Sequence, residues 1–89
     1  MKEDRITRIQ KAMNNEQLDK AMEGYGQEAS TRHPALQKNA DFKASIDAGQ
    51  FLHALGHVRR AREVDGDKYL DVIRVLEFAA TRELAIKMF

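Results

Sequence analysis

Residues 63–76, which read EVDGDKYLDVIRVL, decide the fold of this chain. The segment DGD at positions 65–67 is typical of a turn, because Gly66 can end one helix and Asp67 can cap the next. Good helix formers dominate on both sides of it. Such a short connection predicts that the last two helices fold back on each other as an antiparallel hairpin.

The two hairpin helices are predicted over residues 34–64 and 67–88. Pro34 suits a first helical turn, and a start at Asp41 after a short first piece is the alternative. The predicted apolar stripes are Ala44, Ala48, Phe51, Leu55 and Val58 on the first helix, and Tyr69, Ile73, Leu76 and Ala80 on the second. The hairpin would be roughly 35 Å long, against roughly 30 Å for a compact globule of this size, so surplus surface is expected to meet another molecule.

The chain before Pro34 predicts one or two shorter helices that pack on this hairpin. They cover residues 3–13 and 16–29, with a break at Asn14 and Asn15, since asparagine favours caps and turns. The second segment places Leu18, Met22, Tyr25 and Ala29 on one face. One continuous bent helix over residues 3–29 is the alternative. The sequence therefore predicts an all-α protein with a single domain over residues 1–89.

Composition excludes several classes of function. The 89 residues include no cysteine, which removes disulfides, thiolate metal sites and cysteine nucleophiles. The net charge of +1 argues against a dedicated electrostatic nucleic-acid binder. No apolar run reaches the length of a membrane span, and the N-terminus lacks the apolar core of a secretory signal, so we expect a cytoplasmic protein without a membrane contact. No hydroxyl has a recognisable nucleophile setting, so we expect no catalytic residue, no cofactor and no enzyme.

The stretch HALGHVRRAR at residues 53–62 is the most chemically loaded part of the chain. His53 and His57 have the spacing of zinc ligands, but two histidines do not complete a ligand set, and we expect no metal. Arg59, Arg60 and Arg74 are expected nearby and could grip a phosphate-bearing ligand or a nucleic acid. The opposing interpretation is a solvated helix end whose arginines are paired with neighbouring acids.

A second row of side chains on the predicted long helix suggests a contact face for a partner. Its members step by threes and fours away from the apolar stripe: Phe42, Ile46, Gly49, His53, Gly56, His57 and Arg60. Gly49 and Gly56 lie two turns apart, and a glycine inside a helix costs about 0.5–1 kcal/mol relative to alanine. Their pairing predicts a smooth groove for a close helix contact, filled either by another molecule or by the first helix of the same chain.

The last helix carries a second candidate surface. Phe78, Ala85 and Phe89 line up outside its core stripe, and outward aromatic side chains suggest an interface. Cover by Leu18, Met22 and Tyr25 is the alternative. The sequence therefore predicts a small non-enzymatic interaction module, a homo-oligomer and most simply a dimer, that binds or occludes a protein partner. The alternative is an oligomer that binds a phosphate, nucleotide or nucleic acid through the His/Arg cluster.

Overall fold

The computed structural model describes residues 4–88, and all the regular secondary structure in that range is helical. This confirms the predicted all-α class. Two short 3₁₀ helices, Pro34–Lys38 and Asp67–Tyr69, accompany the α-helices. The α-helices are α1 (Arg5–Lys11), α2 (Asn15–Ala21), α3 (Tyr25–Arg32), α4 (Ala40–Asp47), α5 (Phe51–Asp65) and α6 (Leu70–Lys87).

Side-chain caps start three of these helices. Asp4, Asn14 and Asn39 each accept a hydrogen bond from the backbone N–H three residues later, at 2.8, 2.9 and 3.2 Å. Such a cap satisfies one of the first-turn N–H groups that have no partner within the helix. Asn14 therefore separates α1 from α2, as its position in the sequence predicts. Gly24 then divides the predicted helix over residues 16–29 by taking the left-handed conformation between α2 and α3.

The predicted helix over residues 34–64 is also divided, which corrects the sequence prediction. Ala48 and Gly49 form a turn between α4 and α5, and Gly49 has a φ of 76° that residues with a side chain rarely adopt. A straight helix would place Phe42 and Ile46 opposite Phe51. The turn lets both rows enter the core, and burial of each such side chain stabilises the fold by about 1.5–3 kcal/mol.

The division of this helix also shortens the hairpin that the sequence predicts. Helix α5 has 15 residues and is therefore about 22 Å long. The predicted hairpin of roughly 35 Å is therefore not formed, because α4 packs against α5 and does not extend it. Surplus surface can no longer be inferred from the length of the hairpin.

Helix α6 is the centre of the packing. It contacts α5 most extensively and also packs on α1 and α2. The predicted core stripe of Ile73, Leu76 and Ala80 on α6 is buried, together with Tyr69 at the end of the preceding 3₁₀ helix. The predicted row of Leu18, Met22, Tyr25 and Ala29 is also buried. Phe51, Leu55 and Val58 are buried as predicted, whereas Ala44 and Ala48 are exposed. The molecule is flat, at 35 × 32 × 20 Å, so part of α6 remains at the surface.

A polar cluster fastens the end of α3 to the start of α6. The carboxylate of Asp71 lies 2.9 Å from Nε2 of His33 and 3.0 Å from Nη1 of Arg32. Partial burial opposes ionisation of Asp71, but the hydrogen bonds from Arg32 and His33 outweigh it and hold its pKa below the usual value. The His33 ring meets the edge of Tyr69 with the ring centres 5.3 Å apart. All these side chains have partners within the chain, so the cluster is structural.

Among residues 4–88, none of the helices combines the length and the apolar character that crossing a lipid bilayer requires.

Candidate interaction surface

An open groove of about 580 Å³ runs along the outer side of α6. Half-buried Phe78 and Ala85 provide its apolar lining, and exposed Thr81 lies between them in the sequence. Phe78 also packs partly against the core, so only part of its ring faces the groove. Two of the three residues that the sequence assigns to self-association thus share one surface. The third, Phe89, lies outside the described residues.

Charged side chains border this groove. Nη2 of Arg82 donates a 2.6 Å hydrogen bond to the backbone carbonyl of Gln10, which holds α1 beside the groove. Glu77 pairs with Arg59 of α5 at 3.5 Å, and both side chains are about half exposed. Arg74 lines the groove as well. The surface therefore presents positive and negative groups beside an apolar strip, a composition that suits a protein interface better than a phosphate site.

Exposed apolar residues extend the apolar character of this side of α6. The exposed fraction of Leu84 is 46% and that of Met88 is 85%, and Leu70 at the other end of the helix is 48% exposed. Single exposed apolar residues are common on soluble proteins. Several along one side of one helix, next to an apolar groove, mark a candidate interface.

The two histidines of the opening turns of α5 lie in a different groove. It has a volume of about 430 Å³ and is lined by residues of α4 and of the turn that follows it, together with His53 and His57. The imidazole rings are stacked, with centres 5.1 Å apart and planes inclined by 9°. Nη2 of Arg60 lies 2.9 Å from Nδ1 of His57. Since an arginine only donates, this contact makes Nδ1 of His57 the acceptor.

The predicted His/Arg cluster is only partly assembled. Arg59 is paired with Glu77, and the predicted fifth member, Arg74, lines the α6 groove and not the histidine groove. No ion pair within residues 4–88 includes Arg60. His53, His57 and Arg60 remain as one short polar strip. Within the described range, no group of three histidine or acidic side chains is placed to hold a metal ion.

The predicted contact face on the long helix does not exist as one surface. Phe42 and Ile46 belong to the core, with exposed fractions of 0% and 4%, because the turn at Gly49 rotates α4 relative to α5. Gly49 is part of that turn, so it is not in a helix at all. A methyl group added to Gly56 would meet no atom within 4 Å, so the first helix does not fill a groove there. Only His53, Gly56, His57 and Arg60 of this face remain together on α5.

Glu83 is a buried carboxylate that the sequence analysis did not single out. It comes from the last turns of α6 and accepts hydrogen bonds from the backbone N–H groups of Phe51 (2.7 Å) and Leu52 (3.1 Å). Its other oxygen accepts from Lys87 at 2.9 Å. Glu83 thus caps the start of α5, whose own preceding residue Gln50 provides no side-chain cap. One signal was available: position 83 continues the spacing of the buried stripe through Leu76 and Ala80.

Comparison of this chain with protein-family models, with curated proteins and with solved structures finds no match. What the surface can bind is therefore inferred from its own residues.

Proposed function

We propose that this chain is a small non-enzymatic helical interaction module that forms a homodimer through the outer side of α6 and binds a macromolecular partner as that dimer. The observation that carries the proposal is the half-buried Phe78, which packs on the core and lines a groove of mixed charge. Aromatic residues at the centre with polar groups at the rim are the usual composition of protein interfaces.

The size of α6 sets the strength that we expect. Its 18 residues span about 27 Å, so one helix face can supply only a small interface. Stable interfaces usually bury about 800 Å² on each partner, and smaller ones are transient. The proposed dimer is therefore expected to dissociate at micromolar concentrations. In its dimeric form the module would act by rigid occlusion or scaffolding.

Sedimentation equilibrium of the wild-type chain between about 1 and 300 µM tests the proposal. We expect the mass to rise above the 10.2 kDa of the monomer with concentration. Phe78→Ala is expected to lower self-association, because it removes the aromatic group from the groove. Met13→Ala is the matched control, since Met13 is 82% exposed and lies outside the groove. A single 10.2 kDa species over the whole range contradicts the proposal.

Binding of a phosphate-bearing ligand at the strip of His53, His57 and Arg60 is the second candidate function. The observation that favours it is that Arg60 contacts a histidine and no carboxylate among the described residues. A thermal-shift titration with inorganic phosphate and ATP tests it, because a ligand of the folded state raises the melting temperature. Arg60→Ala is expected to abolish the shift, while Arg62→Ala, whose guanidinium is paired with Asp67 at 2.9 Å, is expected to retain it.

A further inference from the structure

We infer that the two α6 helices of the dimer lie parallel, so that each residue of the groove meets its own equivalent in the second copy and Glu77 of each copy faces Arg82 of the other. This inference rests on the proposed function, because it specifies the partner and the geometry of the same surface. It depends on the order of the residues along α6 as well as on their exposure.

Five residues on the groove side of α6 have the spacing of a two-helix seam. Arg74, Phe78, Thr81, Ala85 and Met88 are separated by four, three, four and three positions. The first four line the groove, and Met88 is exposed beyond its end. Spacings that alternate between three and four residues form the heptad pattern, in which one strip of a helix faces a partner helix along its length. The seam covers about two heptads, in keeping with a weak contact.

The flanking residues then decide the orientation of the second copy. Glu77 and Arg82 flank the seam on opposite sides and are five positions apart. Residues with this separation face each other across a parallel helix pair, and their charges select partner and orientation. The preceding flanking pair is Leu70 and half-buried Val75, which are both apolar. In a parallel dimer, one flanking pair therefore joins opposite charges and the other joins two apolar side chains. Each pair occurs twice because the dimer has two-fold symmetry.

An antiparallel arrangement matches these residues less well. In an antiparallel pair, residues that flank the seam on one side meet residues that flank it on the same side in the other copy. Arg82 then faces Arg82 or Val75 of the second copy, and Glu77 faces its Glu77 or Leu84. Charge complementarity is then lost. The parallel arrangement has one unfavourable feature, since Arg74 meets its equivalent, but Arg74 is exposed and long enough to turn its guanidinium towards water.

Single cysteines provide a direct test, because the natural chain contains none. In a parallel dimer, every seam position lies beside its equivalent, whereas in an antiparallel dimer only the position at the two-fold axis does. Thr81→Cys and Met88→Cys replace exposed residues seven positions apart, so both proteins are expected to fold. Upon mild oxidation, both are expected to form a disulfide-linked dimer on a non-reducing gel, since the bond requires Cα atoms about 4.4–6.8 Å apart. Met13→Cys is the control for random collision.

Crosslinking of both seam variants well above the control supports the parallel arrangement. Crosslinking of only one variant, or of neither, in a chain that sedimentation shows to be dimeric overturns it and leaves the proposed function standing. A monomeric wild-type chain overturns both.

Charge reversal supplies an independent measurement in the chain without cysteine. Glu77→Arg and Arg82→Glu each place like charges across both flanking pairs, and we expect each to raise the dimer dissociation constant about tenfold at low salt. The double variant Glu77→Arg with Arg82→Glu restores opposite charges and is expected to recover most of the affinity. Within each chain, Glu77→Arg also removes the ion pair with Arg59 and Arg82→Glu removes the contact with Gln10, so melting temperatures are measured alongside. Failure of the folded double variant to recover affinity contradicts the assigned pairing.

Discussion

Replacement of Glu83 tests whether one buried carboxylate couples the two longest helices. Its side chain is almost fully buried, with a residue exposure of 5%, and one oxygen accepts from two consecutive N–H groups of the first turn of α5. In Glu83→Ala both N–H groups lose their partner, and that of Phe51 does so at a buried site. Glu83→Gln keeps a carbonyl acceptor in the same place but removes the negative charge.

The expected loss of stability follows from these contacts. A helix cap contributes about 0.5–2 kcal/mol, and a hydrogen bond to a charged group contributes about 1.5–3 kcal/mol. The negative charge at a helix N-terminus adds about 0.3–1 kcal/mol. The contact with Lys87 adds little, because Lys87 is largely exposed. Since these contributions overlap, we expect Glu83→Ala to lower the free energy of unfolding by about 3 kcal/mol and Glu83→Gln by about 1–2 kcal/mol.

Urea denaturation measures these differences as a lower midpoint at an unchanged slope. Glu77→Ala is the matched control at a chain concentration low enough to keep the proposed dimer dissociated. Glu77 lies on the same helix in an exposed ion pair, and its loss from the monomer should cost under about 1 kcal/mol. If Glu83→Ala is no more destabilising than Glu77→Ala, the interhelical cap is not a significant source of stability and this reasoning is wrong.

Four further changes test the remaining parts of the structure. Gly56→Ala should raise the free energy of unfolding by about 0.5–1 kcal/mol in urea denaturation, because an added methyl group meets open space in a helix. Gly49→Ala should lower it by about 1–2 kcal/mol in the same assay, because its φ of 76° is unfavourable for alanine. Phe51→Ala, which empties a site with 1% exposure, should cost about 3–5 kcal/mol, and a near-wild-type denaturation midpoint would show that the core is assigned wrongly. Burial of Tyr25 and the hydrogen bond from Tyr69 to Asp65 raise the pKa of each phenol to about 12. The folded state then keeps protons that the unfolded state releases, so stability should be complete below about pH 10 and fall as the pH rises towards 12. Absorbance of the folded chain at 295 nm should accordingly show no phenolate titration near pH 10, and a titration there contradicts the raised pKa values.

The candidate surface was only partly predictable from sequence. Phe78 and Ala85 stood outside the core stripe of α6, and that periodicity was sufficient to place them together at the surface. The prediction that Phe42 and Ile46 belong to a contact face is wrong, because it assumes one continuous helix through Gly49, where the chain turns. Glu83 could not be recognised as a cap from local sequence, because the N–H groups that it accepts from lie 31 and 32 residues earlier in the chain.

The sequence by itself determined the helical class, the break at Asn14 and the turn at Gly66, because each depends on residues a few positions apart. Helical periodicity also determined the buried stripe of α6. Only the tertiary structure decided that the chain turns at Gly49, since the gain comes from burial of two apolar rows against the rest of the core. Local helix propensity does not reveal this gain, because a glycine within a helical pattern is compatible with both a continuous and a broken helix. Contacts between residues distant in the sequence decide between the two.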